Sequence, residues 1–381
     1  MEDDLGPRAG RWGTWIDEQL DALRAEGRWR ENRTFDAHGP TGQRDGRPVV
    51  SYASNDYLGL SAHPAVAAAA HEALERWGTG ATASRLVVGS RPGHDELEAE
   101  LAAWTGTERA LVFPSGYAAN VGVLSALGGP DVTILSDELN HASIIDGARL
   151  GRARVAVYRH GDLDHVASLL AAVEGRALVV TDVVFSMDGD AAPLDELAEL
   201  CAARGALLVL DEAHRVLGPE VPDPALVPGL ELVRVGTLSK ALGSLGGWVA
   251  GTGALVDLLV NRARSYIFTT ALSPADTAAA LAALRVRRSP EGDELVAHLG
   301  SLVERLRPGH PSPILPVILG EEDAAVKAAA ALLERGILVP AIRPPTVPAG
   351  TSRLRVALSA AHTDAMVDDL VAALTELDLW P

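Results

Sequence analysis

Lys240 is the residue with the clearest chemical potential in this chain. It stands in Thr237-Leu238-Ser239-Lys240-Ala241-Leu242-Gly243-Ser244, directly after the short apolar run Leu232-Val233-Arg234-Val235. A lysine held on such a small-residue turn can form a Schiff base with an aldehyde. The hydroxyls of Thr237 and Ser239 beside it can hold a phosphate. Both features suit pyridoxal 5'-phosphate (PLP), whose ring accepts electrons from a bound amine.

A second chemical group lies 29 residues earlier, in Asp211-Glu212-Ala213-His214 at the end of the apolar run 206–210. A carboxylate at the end of a buried strand is costly unless it is paired. A protonated pyridine nitrogen would pair Asp211 and keep the ring an electron sink. The same tetrapeptide also occurs as a helicase motif serving Mg²⁺ and ATP. That use requires a G-x-x-x-x-G-K-[ST] loop upstream, and no lysine precedes Lys240. A helix N-cap would explain Asp211 alone, but the lysine downstream favours the cofactor.

Three further segments follow expected strands, and a fourth lies on one. Pro114-Ser115-Gly116-Tyr117-Ala118-Ala119-Asn120 opens a helix, where backbone N–H groups gather an anion and Gly116 permits close approach. Asn140-His141-Ala142-Ser143 offers a histidine that could stack on a flat ring, although a lone histidine is more often just a satisfied polar residue. Val184-Phe185-Ser186-Met187-Asp188-Gly189-Asp190 offers Ser186 to a ring oxygen. Its acidic residues do not complete a calcium loop, so no metal is expected. In Arg353-Leu354-Arg355 the two arginines are two apart and share one face of a strand. Arginine pairs with carboxylates in bidentate fashion, which suits an amino-acid substrate.

These residues need a scaffold. Short strands are expected at 48–52, 110–113, 133–136, 153–158, 178–182, 206–211, 232–236 and 247–251, with helices at 65–77, 96–105 and 118–127 between the earlier ones. The alternation argues for an α/β fold: a mostly parallel sheet between helices, with ligands beyond the carboxyl ends of the strands. Residues 11–32 carry a helical period through Trp12, Trp15, Ile16, Leu20 and Leu23. The expected division is an N-terminal helical segment (1–45), a large PLP-binding domain (46–272) and a smaller C-terminal α/β domain (273–381).

Composition narrows the function classes. A formal net charge of -18 argues against a nucleic-acid partner. The single cysteine, Cys201, excludes a disulfide framework and fits a reducing compartment. No apolar run is long enough to span a membrane, and the charged N-terminus lacks a secretory signal. A cytoplasmic enzyme is the expectation.

Taken in order, the motifs resemble the α-oxoamine synthases, a family of fold-type I PLP-dependent transferases that joins an amino acid to an acyl-CoA with loss of carbon dioxide. The likeness spans about residues 12–375 and includes Ser54-Asn55-Asp56-Tyr57-Leu58-Gly59-Leu60. It implies that Lys240 carries PLP and shuttles the proton, that Asp211 pairs with the pyridine nitrogen, and that His141 stacks on the ring. Ser186 and His214 would bind the ring oxygen, and Gly116, Tyr117, Thr237 and Ser239 the phosphate. Thr269 or Thr270 would reach the phosphate of a partner subunit in a homodimer. Arg355 is the expected carboxylate ligand, with Arg343 and Arg353 as alternatives and Asn55 nearby. Arg30 would meet the far carboxylate of a long diacid chain.

The loop Ile342-Arg343-Pro344-Pro345-Thr346-Val347-Pro348-Ala349-Gly350 points to the branch that uses L-alanine and pimeloyl-CoA for biotin biosynthesis, rather than the branch using glycine and acetyl-CoA. Two features depart from the family. Ala81 and Ala83 stand in a run that is usually glycine-rich, which predicts strain where φ must be positive. Arg215 follows His214 where glycine is usual, near an expected acyl-CoA entrance.

Overall fold

The computed structural model describes residues 10–380; residues 1–9 and 381, which belong to the expected first and last segments, lie outside the described residues. The chain opens with the helix Arg11–Ala25. Its apolar face is uncovered, with Trp12 75% exposed and its ring edge-to-face with that of Trp15.

The helical character expected through residue 45 stops far short of it. Asp36–His38 (β1), Thr41–Arg44 (β2) and Arg47–Ser51 (β3) form an antiparallel meander. Thr41-Gly42-Gln43-Arg44 contains no large apolar residue, so no alternating pattern marks it as a strand.

The central sheet holds seven strands: Arg109–Phe113 (β4), Val132–Asp137 (β5), Arg154–Tyr158 (β6), Arg176–Asp182 (β7), Leu207–Asp211 (β8), Glu231–Thr237 (β9) and Gly247–Gly251 (β10). Their spatial order is β4-β10-β9-β8-β7-β5-β6, and only β10 runs antiparallel to its neighbours. Apart from the edge strand β6, whose Val155 and Val157 are exposed, the sheet is buried on both faces. Along β7, Leu178 and Val180 pack into one apolar cluster and Val179 into another; along β8, Val209 joins the first and Leu208 and Leu210 the second. This is why the strands read as continuous apolar runs rather than as half-polar ones. Helices Gly116–Leu127 and Ala142–Leu150 cover one face together. Gly147 lets them approach closely, since a Cβ there would lie 2.9 Å from the Asn120 carbonyl oxygen.

The C-terminal part contributes Ile314–Gly320 (β11), Ile337–Leu338 (β12), Ala341–Ile342 (β13) and Ser352–Ala357 (β14). β11, β14 and β13 form an antiparallel sheet, while β12 adds in parallel to β3. The boundary expected at residue 46 therefore does not separate the sheets. Residues 47–57 are tied into the C-terminal part: Tyr52 N–H donates to Leu338 O (2.9 Å), Tyr52 O accepts from Ala357 N–H (2.8 Å), and the Tyr52 hydroxyl donates to Met366 O (2.6 Å).

The two departures from the family have local explanations. Neither Ala81 nor Ala83 has positive φ; Thr82 between them takes it, at φ 62. The Arg215 guanidinium closes its own loop, donating to Pro219 O (2.6 Å) and pairing with Glu212 and Glu220. Its donors are thus already engaged within residues 212–220.

Candidate active site

β4, β5, β7, β8 and β9 all point the same way, and their carboxyl ends deliver the chemistry to one rim of the sheet. β4 leads into Gly116, β5 into His141, β7 into Ser186 and β9 into Lys240, while β8 ends on Asp211. The β7–β8 register sets Asp182 beside Asp211, and both side chains are buried. Burial, then the neighbouring Asp211 charge, raises the Asp182 carboxyl well above the usual carboxylate range.

A first chain of hydrogen bonds starts at Lys240. Its Nζ lies 2.9 Å from Nε2 of His214, whose Nδ1 lies 2.6 Å from the Tyr57 hydroxyl. The Tyr57 hydroxyl is also 3.1 Å from Asn55 Oδ1, which accepts from Arg355 Nη2 at 3.1 Å. Arg355 Nε donates to the Ser186 carbonyl at 2.5 Å. The guanidinium is also within hydrogen-bond reach of the Tyr57 hydroxyl, and it has no carboxylate partner among the described residues. Burial pushes the Lys240 amine below the ordinary lysine range, against the opposing pull of Asp211 and Asp182. Burial, then the charges of Lys240 and Arg355, holds His214 well below the usual histidine range. Burial raises the Tyr57 hydroxyl to about 12, so it remains protonated.

A second chain starts at Asp211. Its Oδ2 accepts from Asn120 Nδ2 (2.6 Å) and its Oδ1 from the Ala213 N–H (2.9 Å). Asn120 Nδ2 also donates to Ser143 Oγ (2.9 Å), which lies 2.7 Å from His141 Nδ1. The His141 backbone N–H donates to Asp182 Oδ2 at 2.8 Å.

A third cluster surrounds the start of helix Gly116–Leu127. Ser115 caps it by accepting from the Ala118 N–H, and the amides of Gly116 and Tyr117 have no protein acceptor among the described residues. A Cβ at Gly116 would lie 3.1 Å from Thr237 Cβ, and one at Gly247 would lie 2.6 Å from the Gly116 nitrogen. The turn is therefore closed to side chains and open to an anion. The Thr237 hydroxyl is bonded to Ser239 Oγ at 2.7 Å.

These three groups fit PLP. Gly116, Thr237 and Ser239 would hold the phosphate, Asp211 the ring nitrogen, and Lys240 the aldehyde carbon. Other expected ligands lie elsewhere. The Tyr117 hydroxyl donates to Asp146 (2.5 Å), leaving its backbone amide as the available group. Arg353 pairs with Asp188 and donates to the Thr351 carbonyl. Arg343 donates to the Gly27 carbonyl at 3.0 Å, which brings the 342–350 loop to the N-terminal segment carrying exposed Arg30. Thr269 and Thr270 make no hydrogen bond to the Lys240 cluster within this chain.

Asn120, Ser143 and Asp182 had no assigned role in the sequence analysis. Asp182 ends a buried strand just as Asp211 does, and that signal was available. Asn120 lies inside an apolar helix, and only the packing of two helices reveals its partner.

A seven-stranded sheet with a lysine on the turn after one strand and an aspartate at the end of the next defines a fold-type I PLP-dependent transferase. The chain belongs to the aminotransferase class I and II family, whose model matches residues 47–374. Among curated proteins, it is 53% identical to the 8-amino-7-oxononanoate synthase of Anaeromyxobacter dehalogenans (strain 2CP-1 / ATCC BAA-258), covering 96% of each chain. Among solved structures, it resembles Sphingomonas wittichii serine palmitoyltransferase with TM-score 0.88 and 32% identity, covering 98% of this chain and 99% of that one. A structure of SPT with PLP internal aldimine matches at TM-score 0.87 and 30% identity, covering 96% and 98% respectively.

Proposed function

We propose that this protein catalyses the decarboxylative condensation of L-alanine with pimeloyl-CoA, or a related pimeloyl thioester, in biotin biosynthesis. The products are 8-amino-7-oxononanoate, CoA and carbon dioxide. A carbon–carbon bond forms between the alanine Cα and the thioester carbonyl. The C–S bond breaks, and the alanine carboxyl group leaves as carbon dioxide.

The observation that carries this reading is the hydrogen-bonded chain from Lys240 through His214, Tyr57 and Asn55 to Arg355. It joins an amine and a guanidinium through one connected set of side chains, so that both ends of an amino-acid substrate can be met together. The name carried by the curated relatives supports the substrate pair.

When bound, PLP supplies an aldehyde for the substrate amine and a ring that accepts electrons released at Cα. Lys240 Nζ takes the proton at Cα and later returns it; its depressed pKa leaves more of the amine in the free-base form. His214, neutral and fixed by Tyr57, accepts from that amine and aims it. Asp211 would pair with the pyridine nitrogen and favour its protonated form. Arg355 would bind the alanine carboxylate, and Arg30 would meet the far carboxylate of the pimeloyl chain.

The same reading includes a homodimer in which Thr269 or Thr270 reaches the partner's phosphate. Exposed Leu86, Val87 and Val88 lie in the turn Arg85–Gly89, which packs against helix Arg264–Ile267 just before exposed Phe268. This uncovered apolar area suits a second copy. The reading also assigns the enzyme to the cytoplasm, where acyl-CoA thioesters are made.

The test is free-CoA release by the PLP-loaded protein. L-alanine with pimeloyl-CoA should give turnover well above glycine with acetyl-CoA. Preference for glycine and acetyl-CoA would replace the substrate assignment, and no CoA release from any acyl-CoA would overturn the acyltransferase reading.

A further inference from the structure

We infer that Asp211 sets the tautomer of His141 through Asn120 and Ser143, holding the imidazole in its Nε2–H form. Asn120 and Ser143 are thereby positioning residues for the two side chains proposed to meet the PLP ring. The inference rests on that reading of the pocket, while the tautomer itself is a property of the protein alone.

The argument follows the direction of each hydrogen. An ionised carboxylate only accepts, so the group 2.6 Å from Asp211 Oδ2 must be the Asn120 NH₂. That orientation points the second amide hydrogen at Ser143 Oγ. It also leaves Asn120 Oδ1 buried with no partner, a loss accepted in order to satisfy the carboxylate. Ser143 Oγ now accepts from Asn120, so its own hydrogen is free for His141 Nδ1 at 2.7 Å. The Ser143 backbone N–H aims at the same nitrogen from 3.2 Å. A proton on Nδ1 would face this N–H head-on and strand the Ser143 hydroxyl hydrogen in a buried site, which carries the desolvation penalty of an unmade bond. Nδ1 therefore accepts twice, and the only ring proton is on Nε2.

The surrounding charges are compatible with a neutral ring. Asp211 and Asp146 favour the imidazolium, while burial and Lys240 oppose it, and the balance lies below the ordinary histidine range. A neutral ring adds no positive charge beside Lys240 or a protonated pyridine.

The experiment is ¹⁵N NMR of histidine-labelled, full-length protein, with the His141 signals identified by their loss in His141→Asn. Wild type at neutral pH should show His141 as a single Nε2–H tautomer. In Ser143→Ala, with one donor to Nδ1 removed, the signals should move toward a mixture of tautomers. PLP binding should weaken roughly three- to tenfold, the effect of one hydrogen bond. Asn120→Ala, which frees the Ser143 hydroxyl, should shift the same signals and provides a second route if the first variant does not fold. An Nδ1–H tautomer or an imidazolium in wild type would overturn the relay, as would unchanged His141 signals in a folded variant. Titration of the same sample with PLP separates the two claims. The Nε2–H tautomer without PLP binding would retain the relay and sink the cofactor reading; PLP binding with the wrong tautomer would do the reverse.

Discussion

Lys240 Nζ sits 2.9 Å from Nε2 of His214, a neutral imidazole that can accept from it. The pair explains how a lysine amine is held in one position at the rim of the sheet. Lys240→Ala should lower CoA release by about 10³-fold or more, as loss of a nucleophile and proton carrier does. After borohydride reduction, mass spectrometry should find PLP attached to Lys240 in the wild type and nowhere in the variant. Substantial turnover by Lys240→Ala would remove the lysine from the mechanism.

The two arginines of β14 should separate cleanly. Arg355 has no carboxylate partner among the described residues, whereas Arg353 is tied to Asp188 and Thr351. Arg355→Lys should raise the KM for L-alanine by about tenfold to a hundredfold, because a lysine cannot reproduce the planar fork. Arg353→Lys should lower the melting temperature while leaving that KM within about twofold. Steady-state kinetics with a thermal melt of each variant decides the matter; a reversed pattern would exchange their roles.

His160 should contribute stability with a distinct pH dependence. Its Nδ1 lies 3.0 Å from Asp137 Oδ1 and its Nε2 2.7 Å from Asp190 Oδ2, so it bridges the end of β5 to the loop carrying Ser186. These carboxylates raise it from the ordinary 6.5 to about 10. A raised folded-state pKa means that the contribution is complete below about pH 6.5 and fades as pH climbs toward 10. His160→Gln should therefore be less stable than wild type at pH 6, by about 1–3 kcal/mol. Denaturant titrations should show the gap narrowing by pH 10, and a gap that stays constant would exclude the ion-pair account.

Thr82 offers a gain in stability. It is β-branched yet has φ 62, a region such residues avoid. Thr82→Gly should stabilise the fold by about 1 kcal/mol, provided that its short hydroxyl bond to Ala81 O is a weak one. A lower melting temperature in Thr82→Gly would show that this hydroxyl outweighs the strain.

The central sheet was legible because its strands are apolar on both faces, and the motifs after them were legible because turns concentrate polar residues. β1 and β2 were not, since their residues are mostly polar; of that meander only β3, expected at 48–52, carries an apolar run, and its parallel partner β12 comes from far along the chain. Asp211, His214 and Lys240 announced themselves by position after apolar runs. Asn120 did not: within Gly116–Leu127 it is one polar residue among apolar ones, and its purpose depends on Gly147 drawing in the neighbouring helix. The difference between Arg355 and Arg353, a missing carboxylate partner, likewise exists only once Asp188 has been brought beside one of them.

The parallel pairing of Val50 with Ile337 also constrains how the protein can be made. A ribosome releases β3 long before β12 exists, so the nascent meander has an unsatisfied edge while most of the polypeptide is being synthesised. Completion of the C-terminal part is then a late, post-synthetic event. A chain that stalls before residue 337 would leave its N-terminal strands exposed to the edges of other nascent chains.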